Sequence, residues 1–216
     1  MKLFSPDAPI MRVMSAVADL LLFNLLFLLL ALPVVTAGAA ATALYAVTGR
    51  LVRGEEYSVA YFFKTFRQSF PQASVAWLIR GAAALALMAS FVLAGVFGSA
   101  VRLIVSGILL FLGFVWLITC SWTFPLLSQF ENGVGSTIAN ALKLGVAYLP
   151  RSVLMGLVNL FPWGLLYFHI GVFATLVPLW LTVWFSGAAL LASFLIKKPL
   201  APYRGSDPDS GAQDGE

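Results

Sequence analysis

The sequence predicts an all-α fold, a polytopic membrane helix bundle of about six transmembrane helices plus two interfacial amphipathic helices. Three observations predict it. The 216 residues are 61% hydrophobic and only 10% charged, against roughly 45–50% and about 25% in a soluble domain. Apolar runs exceed the roughly 18 residues that mark a spanning segment. Those runs are continuous and rich in Leu and Ala rather than alternating in ten-residue strands, which selects helices over a barrel.

The first element comes from the stretch Val13 to Thr48, broken only by Ser15, Asp19, Asn24, Thr36, Thr42 and Thr48. Its length of about 36 residues is roughly 54 Å of helix, nearly twice a 30 Å hydrocarbon core. One span cannot use it. Pro33 removes a backbone donor and disfavours helix at the residue before it, so the stretch divides into spans at about 10–32 and 35–53. Lys2 and Arg12 precede it as in a signal peptide, but no small-residue cleavage site follows, and the first helix is expected to be retained.

Arg50, Arg53, Glu55 and Glu56 mark an aqueous loop. After Ser58, the apolar Tyr61, Phe62, Phe66 and Phe70 oppose Lys64, Arg67 and Gln68, the pattern of an interfacial helix at about 58–70. Pro71 restarts the chain into a third span at about 73–98. Gly98, Ser99 and Arg102 form a hairpin into a fourth, at about 103–128, with Pro125 near its end. Glu131-Asn132-Gly133 is a polar break, and a second interfacial helix follows at about 134–149, carrying Asn140 and Lys143. Pro150 opens an apolar block that must hold two spans, at about 152–169 and 173–196, turning near Tyr167, His169 and Gly171. Residues 1–198 thus form one transmembrane domain. Residues 199–216, rich in Gly, Ser and Asp from Pro202 onward, read as a disordered cytoplasmic tail.

Charge gives the sidedness. With six spans, Lys2, Arg12, Arg50, Arg53, Lys64, Arg67, Lys143, Arg151, Lys197, Lys198 and Arg204 share one side and Arg102 alone lies opposite. Fusing the first two helices leaves nine of these facing three, and the positive-inside rule prefers eleven against one. Both termini are therefore expected in the cytoplasm. A shift of 79 residues lays Lys64 on Lys143 and Pro71 on Pro150, which suggests an internal repeat of the kind found in transporters; two ordinary proline-initiated helices explain the same match.

Ionisable groups inside a span are functional candidates, because burying an unpaired charge is costly. Asp19 and Arg80 are the two here, candidates for an intramembrane ion pair between the first and third spans. The plainer reading has Arg80 snorkelling to the interface and Asp19 meeting a backbone donor or Arg12. Asn159, three residues before Pro162, is the candidate to line a cavity; Asn24, Asn140 and Asn159 otherwise serve to bond neighbouring helices. His169 reads as a turn residue. Trp180 and Trp184 share a helix face that could stack on a sugar or pack in the bundle. No catalytic set, phosphate loop or metal cluster assembles around one histidine and one cysteine, Cys120, so the sequence predicts no enzyme, no cofactor and no metal. The net charge of +4 lies beside the spans rather than in a stripe of its own and indicates a lipid bilayer as partner, not nucleic acid.

The amino-terminal third resembles the YesL-like family, domain of unknown function 624. The resemblance rests on Phe4-Ser5-Pro6, the stretch around Asp19 to Pro33 (ADLLLFNLLFLLLALPVVTAG), Ala43-Leu44-Tyr45, and Phe62-Phe63-Lys64-Thr65-Phe66-Arg67-Gln68-Ser69-Phe70. It implies a multi-pass protein of the bacterial cell membrane, encoded near carbohydrate uptake and degradation systems, with no catalytic residues to carry over. The function this implies is an accessory or regulatory component linked to carbohydrate uptake, with carbohydrate ABC transporter permease subunits as candidate partners; the alternative is a small secondary transporter or permease in its own right.

Overall fold

The structure, a computed structural model, describes residues 9–130 and 133–204, and among these every regular element is helical. Six helical segments are long and apolar enough to cross a membrane. The predicted amino-terminal hairpin is present: α1 (Pro9–Ala31) turns through a 3-10 segment (Val34–Thr36) into α2 (Ala37–Arg53). Pro33 sits extended at the turn. The Thr36 hydroxyl donates to the Leu30 and Pro33 carbonyls, the latter at 2.7 Å, and the Thr36 N–H also bonds Pro33. The turn thus satisfies backbone groups internally while Leu32, Val34 and Val35 are exposed, which is what an apolar surrounding demands of an irregular backbone.

At its other end α2 stops at Gly54, whose φ of 77° is the left-handed conformation glycine adopts without steric penalty. Lys197 reaches across to donate to the Val52 carbonyl at 3.0 Å, placing a cation on one of the helix's last free acceptors.

Ser58 then caps α3 (Val59–Leu93) by accepting from the Tyr61 N–H. Here the expected division fails. The interfacial helix at 58–70 and the span at 73–98 are one helix of 35 residues that passes through Pro71. Proline deletes one backbone bond, but Phe62, Ala73, Ser74 and Ala76 on either side of it are buried and α2 is the main neighbour of α3, so tertiary packing carries the helix across. The proposed repeat loses part of its likeness as a result, because Pro150 follows a real break at Tyr148 and Pro71 does not.

A 3-10 turn (Ala94–Val96) leads into α4 (Ser99–Leu127), which starts before the expected position and holds Arg102 in its first turn. Next, α5 (Val134–Ala147) forms as a separate helix, but it buries Thr137, Ala141 and Gly145 and lies along α4, with Gly145 against the Ile118 carbonyl. The face made of these small residues is covered by protein, while Leu142 and Val146 are exposed. The polar break at Glu131 and Asn132 lies outside the described residues.

After α6 (Leu149–Phe168) comes the predicted turn at His169, then the short α7 (Ile170–Thr175). The last span is composite: α8 (Val177–Leu179), a π-helical turn (Trp180–Trp184) and α9 (Phe185–Arg204) follow without a gap. The expected end at Ile196 is overrun. Leu200 is fully buried in a cluster with Trp122, Leu126, Ala141, Met155 and Ile196, and that burial draws the helix through Pro199 and Pro202. The remainder of the predicted tail, residues 205–216, lies outside the described residues.

Three apolar clusters form the core, and Tyr45 of α2 packs against all of them. Gly38 sets the closest crossing: a Cβ there would lie 2.4 Å from the Ala73 carbonyl oxygen and 2.7 Å from the Trp77 Cβ. Only the second residue of α2, Gly38 meets α3 with 16 residues of α3 still to come, or ~24 Å of rise. All the buried residues of α3 precede that stretch, and those of α4 begin at Ile118. The distal arms of α3 and α4 therefore project past the amino-terminal hairpin as an apolar pair without cover from it.

Candidate functional site

The site begins with Arg80, which the unbroken α3 places 13 residues beyond Arg67 and 13 before Leu93, ~20 Å of helix rise either way. Its Nε donates to Cys120 Sγ at 2.9 Å, its Cζ lies 4.5 Å from the centre of the Phe124 ring, and its carbonyl accepts from Trp116 Nε1 at 3.1 Å. Nη1 is buried with no hydrogen-bond partner.

The expected ion pair is not formed. Asp19 instead accepts from the Tyr57 hydroxyl at 2.6 Å, near the end of the bundle that holds the 54–58 loop. Burial first, then the Asp19 acceptor and its negative charge, push the Tyr57 phenol up to about 12, because a phenolate beside a carboxylate is doubly disfavoured. Among the described residues the ion pairs join Arg50 and Arg53 to Glu55, so no carboxylate neutralises Arg80. Arg50 also stacks on Tyr61, 3.7 Å from its ring centre.

Beside Arg80 stands a residue the chemical reading of the sequence passed over: Tyr45 packs against the cluster that holds Phe124, on which the guanidinium rests, and against the one that holds Met155. Asn159 donates to the Met155 carbonyl of its own helix at 2.8 Å, which fixes its amide while its outer face stays exposed. Arg80 of α3 and Cys120 of α4 thus form a polar contact between helices, with Tyr45 of α2 packed beside the ring of Phe124. The available signal was the phenolic oxygen of Tyr45 itself, a buried-span polar atom that needs a partner.

The remaining candidates are structural. Asn24, fully buried, bonds α1 to the last span through both halves of its amide: Nδ2 donates to the Leu181 carbonyl at 2.7 Å and Oδ1 accepts from the Ser186 N–H at 3.0 Å. Trp180 and Trp184 pack edge to face at 4.6 Å, while Phe173 stacks on Trp180 and Phe161 on Trp184, so both indoles pack within the bundle. His169 is exposed at the turn and borders a shallow apolar groove of about 440 Å³ along α6. A second groove, about 410 Å³, lies between Leu126, Leu144 and Leu200 with Asn140, Lys143 and Tyr203 at its polar edge. Among the described residues no three His, Cys, Asp or Glu side chains gather as metal ligands would.

Neither curated proteins nor solved structures yield a match to the chain. One family model does match, described as protein of unknown function, DUF624, over residues 20–91. That segment holds most of α1, all of α2 and α3 as far as Phe91, and with them Asn24, Tyr45 and Arg80. Over these residues the chain is similar to DUF624, in agreement with the resemblance read from the sequence.

Proposed function

We propose that the protein is a non-enzymatic component of the bacterial cell membrane, with both termini cytoplasmic, that assists or regulates a carbohydrate uptake system through helix–helix contact. The observation that carries this reading is the projecting α3–α4 pair. Between Arg80 and Arg102 it has no charged residue, and Leu85, Met88, Val92, Leu103 and Ile104 are exposed along it. Gly81, Gly95, Gly98, Gly107 and Gly113 have open space where a Cβ would stand. Small residues on an uncovered span let another helix approach closely, and packing of that kind drives association in lipid. Carbohydrate uptake enters from the family resemblance alone. The test is recovery of the tagged protein in mild detergent from cells grown on an inducing sugar. Permease subunits should co-purify, and a Gly107→Leu variant should recover several-fold less; recovery without any permease subunit counts against the reading.

A second reading, a small transporter in its own right, is favoured by one observation, the guanidinium of Arg80 within the bundle, whose buried Nη1 has no hydrogen-bond partner. Reconstituted vesicles would then show sugar flux or counterflow that Asn159→Leu reduces. No flux over a broad sugar panel removes it.

A further inference from the structure

The groove where α4, α5 and α9 converge combines an apolar floor with polar groups that have no partner. Leu126, Leu144 and Leu200 form the floor, and Leu126 and Leu200 belong to the core cluster around Trp122. Asn140 and Lys143 line the same groove; three residues apart, they share one face of α5. Lys143 is exposed and Asn140 half-buried, and neither side chain bonds or pairs with another among the described residues. A half-buried amide without a hydrogen bond is uncommon. This one lines a space of about 410 Å³, within the range of roughly 300–1,000 Å³ found for ligand clefts.

Depth and charge select the occupant. Leu126 lies in the last turn of α4 and Tyr203, also lining the groove, in the last turn of α9. The groove therefore opens where two spans end, at the level of lipid headgroups. Lys197 meets the close of α2 at this same end, and among the described residues no carboxylate follows Glu56. We propose that the groove binds one anionic phospholipid, its phosphate held by Lys143 and Asn140 and its first acyl carbons lying on Leu126, Leu144 and Leu200. The lysine supplies a point charge and the amide a donor for a phosphate oxygen. Grooves between membrane helices that carry cations near the surface take such headgroups. A free phosphate would leave the leucine floor uncovered, and a choline headgroup would bring a second cation beside Lys143. The proposal stands apart from any link to carbohydrate uptake, because it concerns the lipid around the protein and not what the protein assists.

Native mass spectrometry of the full chain, released from neutral detergent after titration with phosphatidylglycerol or phosphatidylcholine, counts the bound lipid and gives the concentration at half-saturation. One phosphatidylglycerol per chain is expected, bound several-fold more tightly than phosphatidylcholine. Lys143→Gln should weaken it about fivefold, the share of one lysine near a membrane surface. Asn140→Leu should weaken it several-fold, and both variants should keep the parent melting temperature, since neither side chain bonds the rest of the bundle. Lys64→Gln removes an exposed cation near the start of α3, outside the groove, and should leave binding unchanged. Equal binding of the two lipids overturns the proposal, as does equal weakening by Lys64→Gln and Lys143→Gln, which would reduce the preference to general surface charge. Displacement of the lipid by millimolar inorganic phosphate at constant ionic strength would make the groove a solute site and also overturn it. So would several-fold tighter lipid binding after Asp207→Asn, Asp209→Asn and Asp214→Asn together, because the occupant would then be the chain's own acidic segment.

Discussion

Asn24→Leu tests the packing logic of the bundle most directly. Leucine nearly matches asparagine in volume, so the change leaves little cavity and isolates the hydrogen bonds. A π-type turn disturbs the regular backbone ladder, and at its edge the Leu181 carbonyl and the Ser186 N–H both bond the Asn24 amide. The substitution removes both bonds and strands both backbone groups. Interhelical bonds in membrane proteins are worth on average about 0.6 kcal/mol, at most about 1.7, while a stranded buried group is unfavourable by about 1–3 kcal/mol. The two sites together give a loss of about 2 kcal/mol. For a chain of this length that is a fall of roughly 4–8 °C in melting temperature, read in detergent beside Leu29→Val, an exposed position on the same helix, as control. A variant as stable as the parent would show that the last span closes its own ladder without Asn24, and the account of α1 docking would fail.

Three further outcomes follow from the same structure. Gly38→Ala should destabilise by about 1–3 kcal/mol, the range for overpacking a tight contact, because its Cβ meets the Ala73 backbone at 2.4 Å; Gly107→Ala, with open space around it, should be neutral or stabilising, and equal thermal shifts for the two would refute the crossing. The Tyr57 phenol, held protonated up to about 12, contributes stability that is full below its ordinary value near 10 and is lost as pH rises from 10 through 12. Asp19→Asn should move that titration, followed by tyrosinate absorbance, downward. In a Cys120→Ala background, a cysteine at residue 102 should label from outside and cysteines at 64 and 143 should not. One at 34 should label at least tenfold more slowly than one at 102, because α2 rises only ~25 Å beneath an apolar turn.

The parts of the fold legible in the sequence were those fixed by a local constraint. Length against bilayer thickness, with Pro33 as the turning point, divided the first apolar stretch correctly. Pro71 and Pro199 misled for one reason. Each weakens a helix locally, and each is overruled by neighbours far away in sequence, Phe62 and Ala73 packing near the first and Leu200 burying itself after the second. A proline's loss is visible in one residue; the compensation is spread over a surface that only the folded bundle assembles.

The same asymmetry explains the site. Asp19 and Arg80 stood out because charge in an apolar run is conspicuous, and opposite signs invited pairing. Their actual partners, Tyr57 and Cys120, are less polar residues that composition had no reason to flag. The continuous α3 decides the matter. By carrying Arg80 to mid-helix it separates that residue from the end of the bundle where Asp19 is held, and it sets the guanidinium beside Phe124 and Cys120 instead. A helix that had broken at Pro71 could have tilted to bring Arg80 toward Asp19 and neutralise it within the chain. Passing through Pro71 leaves Arg80 to a thiol and an aromatic face, with Nη1 buried and unpartnered.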